Sequence, residues 1–195
     1  MTWIQTYDNQ AFDLVNPVPE QINFEVLATV LARTLRFGGH TRIPYTVAQH
    51  CVLGADAIWV AYKDKTLSAA FLLHDCHEAI IGDDTTPKVD ALVEIAGKDG
   101  HVIRHAIKTM KNNLDAAIYT AAKMQWPLDP ETHAVVKSYD IRMCKMERDF
   151  HLGTPPHRWG ETYEQAEPIE GLDLEAWSEE FSKYTWLDAF RMYCP

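Results

Sequence analysis

A histidine and an aspartate stand side by side, His74-Asp75, at the end of the apolar run Phe71-Leu72-Leu73, and Glu78 follows three residues after the aspartate. One helical turn there offers a divalent cation an imidazole nitrogen and a carboxylate oxygen. A packed core has no use for that pair without partners, because burying both polar groups unpaired is costly. Two other segments can complete a ligand set: Ala48-Gln49-His50 upstream and Ser138-Tyr139-Asp140 downstream. Two imidazoles and two carboxylates, His50, His74, Asp75 and Asp140, suit a borderline divalent ion such as Mn, Co, Fe, Ni or Zn. Four protein ligands on a six-coordinate ion leave positions for water or a substrate oxygen, as a catalytic metal requires.

Three elements must bring these residues together, and the sequence predicts all of them to be helices. Asn23 caps a helix over about 24–36, with Phe24, Leu27, Leu31 and Leu35 on one face, and Gly38-Gly39 stops it. Pro44 suits the first turn of a second helix over about 45–62, which carries His50. Thr66 is expected to cap a third over about 67–81, with Gly82 just past its end, so that His74, Asp75 and Glu78 share its second half. After the polar loop Asp83-Asp84-Thr85-Thr86, helices are expected over about 88–96 and about 99–123. Asp129-Pro130-Glu131 is a strong start for the helix that runs through Asp140 to about Arg148. Gly153-Thr154-Pro155-Pro156 breaks the chain, and Asp173 is expected to cap a last, aromatic-rich helix over about 174–192. The opening residues to about Gln21 read as an extended lead-in. No alternating strand pattern of any length is visible, so the predicted fold class is all-α.

Composition narrows the function. With 195 residues, one domain with one substantial core is expected. The 18 basic and 28 acidic side chains leave a formal charge of −10, which argues against a nucleic-acid groove as the main function. A small phosphorylated substrate stays compatible, because a metal and one or two basic groups offset its charge. Cysteines at 51, 76, 144 and 194 have no CxxC spacing, so reduced thiols in a cytoplasmic protein are expected. Neither a signal peptide nor an apolar run of membrane-spanning length is evident, so no membrane partner is expected. His101 and His105 stand four apart on a helix, but no third ligand is placed to join them, and they read as a solvated face. His77 is expected to point to a different helix face from the ligands, and the Trp- and Tyr-rich tail to pack on the bundle or on another subunit.

The order His50, His74-Asp75, Asp140 resembles the H…HD…D pattern of the HD-domain superfamily of metal-dependent phosphohydrolases. The likeness extends over about residues 24–148. Val47-Ala48-Gln49-His50 resembles the segment around the family's first metal histidine. His74-Asp75-Cys76-His77-Glu78-Ala79-Ile80-Ile81-Gly82-Asp83, then Thr86-Pro87 and Lys88, is similar to the HDxxE…GD…TP stretch of the 5′-deoxynucleotidase branch. Arg36-Phe37 resembles that branch's Arg-Trp pair, with Phe in place of the usual Trp. The segment Arg36-Phe37-Gly38-Gly39-His40-Thr41 is also similar to one in phage-type triphosphohydrolases of deoxynucleoside triphosphates such as dATP.

The resemblance implies a single HD-type helical domain over 1–195, with a C-terminal helical extension over about 155–195. It implies one divalent ion per chain (Co, Mn, Zn, Ni or Fe) on His50, His74, Asp75 and Asp140. Glu78 is implied in proton transfer. Asp83 is implied in orienting water or binding the sugar 3′-hydroxyl, and Arg36 in holding phosphate through its planar fork. Phe37 is expected to stack on a base or pack the deoxyribose, while Asp84, Thr85, Thr86 and Lys88 line the substrate. The expected activity is hydrolysis of a deoxynucleoside 5′-monophosphate to nucleoside and phosphate. Release of triphosphate from a dNTP is the close alternative, with Arg42 and Lys137 as further cations beside the motifs. A nucleotide-binding module without turnover is the alternative of a different class. Relatives of this kind are commonly homo-oligomers, so a dimer or larger assembly is expected, in a cytoplasm that would be the host's for a phage-borne chain.

Overall fold

The computed structural model describes residues 2–195. The chain is 63% helix and 4% strand, so helix packing builds the core. One departure from the all-helical expectation lies at the start: β1 (Trp3–Gln5) pairs antiparallel with β2 (Ala11–Asp13), Ile4 opposite Phe12. Strands of three residues are too short to show an alternating pattern, yet Phe12 is fully buried beneath them.

The first helix, α1 (Phe24–Leu31), is capped by Asn23 as expected but ends five residues early. The chain turns out because residues 34–36 pair with 45–47: Arg36 N donates to the Tyr45 carbonyl (3.0 Å) and Val47 N to the Thr34 carbonyl (3.0 Å). Between these rungs the 3-10 turn Arg36–Gly39 carries three residues of positive φ, Phe37 (56°), Gly38 (59°) and Gly39 (78°). For the same reason α2 (Val47–Tyr62) starts at a Thr46 cap rather than beside Pro44.

The expected helix over 67–81 is two helices. An Asp64 cap, not Thr66, starts α3 (Lys65–Leu73), Asp64 accepting from Thr66 N (2.7 Å) and Leu67 N (3.2 Å). Residues 74–77 form a turn, and α4 (Glu78–Ile81) follows it, ended by Gly82 at φ 80°. At the break, His74 Nδ1 donates to the Phe71 carbonyl at 2.6 Å, a side-chain bond that competes with regular helix bonding.

Next come α5 (Thr86–Ala96) and the 22-residue α6 (Gly100–Ala121), whose first turns pack on α5 as a hairpin. Asp129, Pro130 and Glu131 begin α7 (Pro130–Glu147) as the sequence predicts, the Asp129 carboxylate accepting from Glu131 N (3.1 Å) and Thr132 N (3.0 Å). A π-helical turn, Arg148–Leu152, extends it to Gly153. A one-turn helix, α8 (Glu161–Glu164), and α9 (Glu179–Tyr193) complete the chain. Asp173 caps only a local turn; Ser178 caps α9, its hydroxyl accepting from Phe181 N (3.2 Å).

The core lies among α1, α2, α3, α7 and α9. The aromatic tail belongs to it, with Trp186 fully buried against the other helices. Gln49, beside His50, fastens the segment before α9 by donating to the Glu175 carbonyl (2.7 Å) and accepting from Trp177 N (3.0 Å). No helix among the described residues is long and apolar enough to cross a membrane.

Helices α2 and α3 pack tightly at Gly54, where an added Cβ would meet the Phe71 ring at 2.0 Å. Gly54→Ala should therefore destabilise the protein by about 1–3 kcal/mol through overpacking, read as a lower urea midpoint with an unchanged m-value.

Candidate metal centre

His50 projects from α2, His74-Asp75 from the turn between α3 and α4, and Asp140 from α7. Their donor atoms converge. His74 Nε2 lies 3.4 Å from His50 Nε2, 3.2 Å from Asp75 Oδ2 and 3.9 Å from Asp140 Oδ1. His50 Nε2 lies 3.8 Å from each carboxylate. Ligands bonded at about 2.1 Å to one ion stand about 3.0 Å apart at right angles and about 3.4 Å apart in a tetrahedron. The observed spacings have that scale.

The tautomers point the same way. His50 Nδ1 donates to Glu147 Oε1 at 2.6 Å and His74 Nδ1 to the Phe71 carbonyl at 2.6 Å, so both rings turn Nε2 toward the cluster. Two imidazole acceptors and two carboxylate oxygens then face one another and need a positive charge between them. A hydrogen-bonded Nδ1 that fixes the ring is what metal-binding histidines use. The donor set therefore fits a divalent ion.

The titration behaviour follows from the same crowding. Burial opposes charge on His74, but Asp75 and hydrogen bonds to Asp140 and Asp75 outweigh it and hold its pKa well above the usual value. Burial likewise opposes charge on Asp75 and Asp140, yet His74 holds both carboxylates below their ordinary range.

Glu78 behaves differently. It is buried on α4, and burial followed by the Asp75 charge pushes its pKa well above the ordinary carboxyl value. Its Oε2 has no hydrogen-bond partner among the described residues. Asp75, His77 and Glu78 also form a compact group of possible ligand atoms. His77 does leave the first cluster, its Nδ1 bonding Asp115 on α6 at 2.9 Å.

Other predicted residues surround this centre at different depths. Arg36 is not an open phosphate fork: it is 8% exposed, with Nε on Glu147 Oε2 (2.9 Å) and Nη1 on Asp75 Oδ2 (3.4 Å). Phe37 follows it at the rim, 6.1 Å from Trp159 between ring centroids. Asp83 reaches the same rim by accepting from Gly38 N at 3.3 Å. Asp84, Thr85, Thr86 and Lys88 gather at the start of α5, where Lys88 pairs with Asp84 rather than with the ligand cluster. Lys137 is paired with Asp140 (2.9 Å) and borders a cleft of about 880 Å³ between α7 and α8. Arg42 lies against Gly153, and its backbone N–H donates to the His151 carbonyl at 3.2 Å. Burial pushes the Cys51 thiol up to about 11 and Cys144 to about 12, so both are packing groups rather than nucleophiles.

Sequence reasoning missed Glu147. Its carboxylate has 0% exposure and takes three bonds, from Arg36, Tyr45 (2.9 Å) and His50. The signal was present: Asp140, Met143 and Glu147 recur at i, i+3 and i+7, one inward face of α7. The contacts of Trp159 with Phe37 and with Tyr163 of α8 were also missed, since no periodicity marks the segment that carries Trp159.

Comparison with known proteins adds little chemistry. No family model matches the chain. An uncharacterized protein of Rhodobacter capsulatus is 26% identical over 155 residues, covering 77% of this chain and 74% of the relative.

Two outcomes are expected. Burial works against ionising Glu147, but Arg36, His50 and Tyr45 overcome it and bring its pKa from 4.5 to about 2. A lowered carboxylate pKa stabilises the fold above the unfolded value and is lost as pH falls through the folded one. About 3 kcal/mol should therefore be present at pH 5 and above and disappear toward pH 2. Glu147→Gln should flatten that acid limb in urea titrations and cost about 3 kcal/mol at pH 7 by leaving Arg36 short of a partner. Separately, His50→Ala or Asp140→Ala should abolish stoichiometric Mn or Co binding by calorimetry while the helical circular dichroism is retained.

Proposed function

We propose that this chain is an HD-type, metal-dependent phosphohydrolase of deoxynucleotides, acting first on deoxynucleoside 5′-monophosphates to give deoxynucleoside and phosphate. The observation that carries the reading is four inward-facing acceptors, His50, His74, Asp75 and Asp140, converging beside a buried carboxyl, Glu78, whose pKa burial and the Asp75 charge raise. Their order along the chain, with Gly82-Asp83 and Thr86-Pro87 after them, agrees with the family resemblance.

When bound, a divalent ion supplies Lewis-acid polarisation of a phosphoryl oxygen and a water nucleophile near neutral pH. The protein's own groups do the rest. Arg36 positions Asp75, and Glu147 positions both Arg36 and the His50 ring. Glu78 donates its proton to the leaving oxygen. Asp83, tethered to Gly38 at the rim, orients water or the sugar 3′-hydroxyl. Lys137, beside Asp140, offers charge to the phosphate.

Release of triphosphate from a dNTP is the alternative at the same centre. The pairing of Lys137 with Asp140 and of Lys88 with Asp84 favours the smaller anion. Incubating the protein with each dNMP and dNTP under Mn, Co, Ni, Zn or Fe and separating the products decides between them. Inorganic phosphate from dNMPs is expected. Triphosphate from dNTPs would transfer the assignment to the alternative, and nucleotide binding without turnover under every metal would make the chain a sensor module. Glu78→Ala should lower kcat about 10²–10⁴-fold while metal stoichiometry is kept.

A further inference from the structure

The segment between the π-helical turn and α8 reaches Phe37, the residue after Arg36, through Trp159 and is outside every motif discussed so far. Arg148 anchors it: buried at its side chain, it donates from Nη1 to Glu164 Oε1 at 2.8 Å, and Glu164 in turn accepts from Trp159 N at 3.2 Å. Gly160 at φ 108° permits the turn that follows. The Trp159 ring is thereby held with the Arg148 guanidinium 5.2 Å from its centroid and Tyr163 edge-on at 5.9 Å. It keeps 38% of its surface exposed.

Trp159 also meets Phe37, tilted 55° to it, which has an unusual backbone for a bulky residue (φ 56°, ψ 30°). Such conformations persist where the surroundings enforce them, and they cluster at ligand sites. Here they are enforced by the two rungs to residues 45–47 and by the Gly38–Asp83 bond. Contacts run unbroken from the indole to the ligand cluster: Trp159 to Phe37, Phe37 to Arg36 (5.5 Å), and Arg36 to Asp75. The cleft between α7 and α8 offers a different surface. Its lining residues, with Lys137, Ser138, Arg142, Thr162 and Gln165 among them, include no Phe, Tyr or Trp among the described residues.

We propose that Trp159 supplies the face on which the nucleobase of the substrate stacks, with Phe37 tilted beside it, so that the phosphate reaches the metal centre while the base rests on the rim. The inference rests on the deoxynucleotide reading above and assigns the part of the substrate that the metal centre does not touch. Stacking accepts any base plane and is lost with the ring, so the aromatic residue, rather than its hydrogen bonds, carries the affinity.

The test compares wild type, Trp159→Ala and Trp159→Phe with dAMP, dTMP and deoxyribose 5-phosphate, by steady-state kinetics and by calorimetric binding to the metal-loaded protein. Trp159→Ala should raise KM for both nucleotides roughly ten-fold with kcat changed less than two-fold, and Trp159→Phe should restore most of the loss. The KM penalty should vanish for deoxyribose 5-phosphate, which has no base. An unchanged nucleotide KM in Trp159→Ala, or an equal penalty for deoxyribose 5-phosphate, overturns the inference. So does a Gln165→Ala effect that exceeds the Trp159→Ala effect, because it would put the base in the cleft. If no nucleotide is turned over, the hydrolase reading fails by itself; calorimetry then decides, Trp159-dependent binding of dAMP supporting the stacking face and Trp159-independent or absent binding rejecting it.

Discussion

A carboxylate without access to water holds this architecture in register. Glu147 joins the turn after α1 through Arg36, the strand-like approach to α2 through Tyr45, and α2 itself through His50. A buried charge of this kind is tolerable only when its hydrogen bonds are complete, and here all three partners are donors. The same bonds set the chemistry. By taking Nδ1–H of His50, Glu147 turns Nε2 inward; by taking Nε–H of Arg36, it aims the remaining guanidinium at Asp75. Glu147 is thus shared between the contacts that close the bundle and those that orient the ligand cluster.

The second determinant is an interrupted helix. A continuous helix through residues 67–81 would place His74, Asp75 and Glu78 on a regular spiral. Breaking it at the His74–Phe71 bond re-aims the residues. His74 and Asp75 then meet His50 and Asp140, His77 turns to Asp115, and Glu78 restarts a helix from a buried position. Two carboxyls three residues apart therefore shift in opposite directions: His74, His50 and Arg36 lower the Asp75 pKa, while burial and the Asp75 charge raise that of Glu78. Such a divergence between neighbouring carboxyls is what acid–base chemistry draws on.

Much of this was legible in the residues themselves. The caps Asn23 and Asp129, the stop at Gly82 and the four acceptors His50, His74, Asp75 and Asp140 were readable because each depends on local chemistry or on an unusual pairing of polar with apolar residues. The early end of α1, the late start of α2 and the split near His74 were not, because each is decided by a bond to a distant or competing partner: Thr34 with Val47, Arg36 with Tyr45, His74 with Phe71. Arg36 shows the same limit. Its type predicts an anion, but only the fold reveals that the anion is Glu147. Trp159 was invisible for the converse reason, since nothing in a loop sequence says which surface it will cross.

The α5–α6 hairpin has a dynamic corollary. No side chain of α5 is buried, and Leu92 and Ile95 face solvent. A helix with so little apolar contact is a separate cooperative unit, and its amides should exchange with solvent through openings far less costly than global unfolding. Because α5 begins shortly after Asp83-Asp84, each such excursion should loosen that loop while α2, α3 and α7 stay folded. Breathing of this hairpin is thus decoupled from the melting of the bundle.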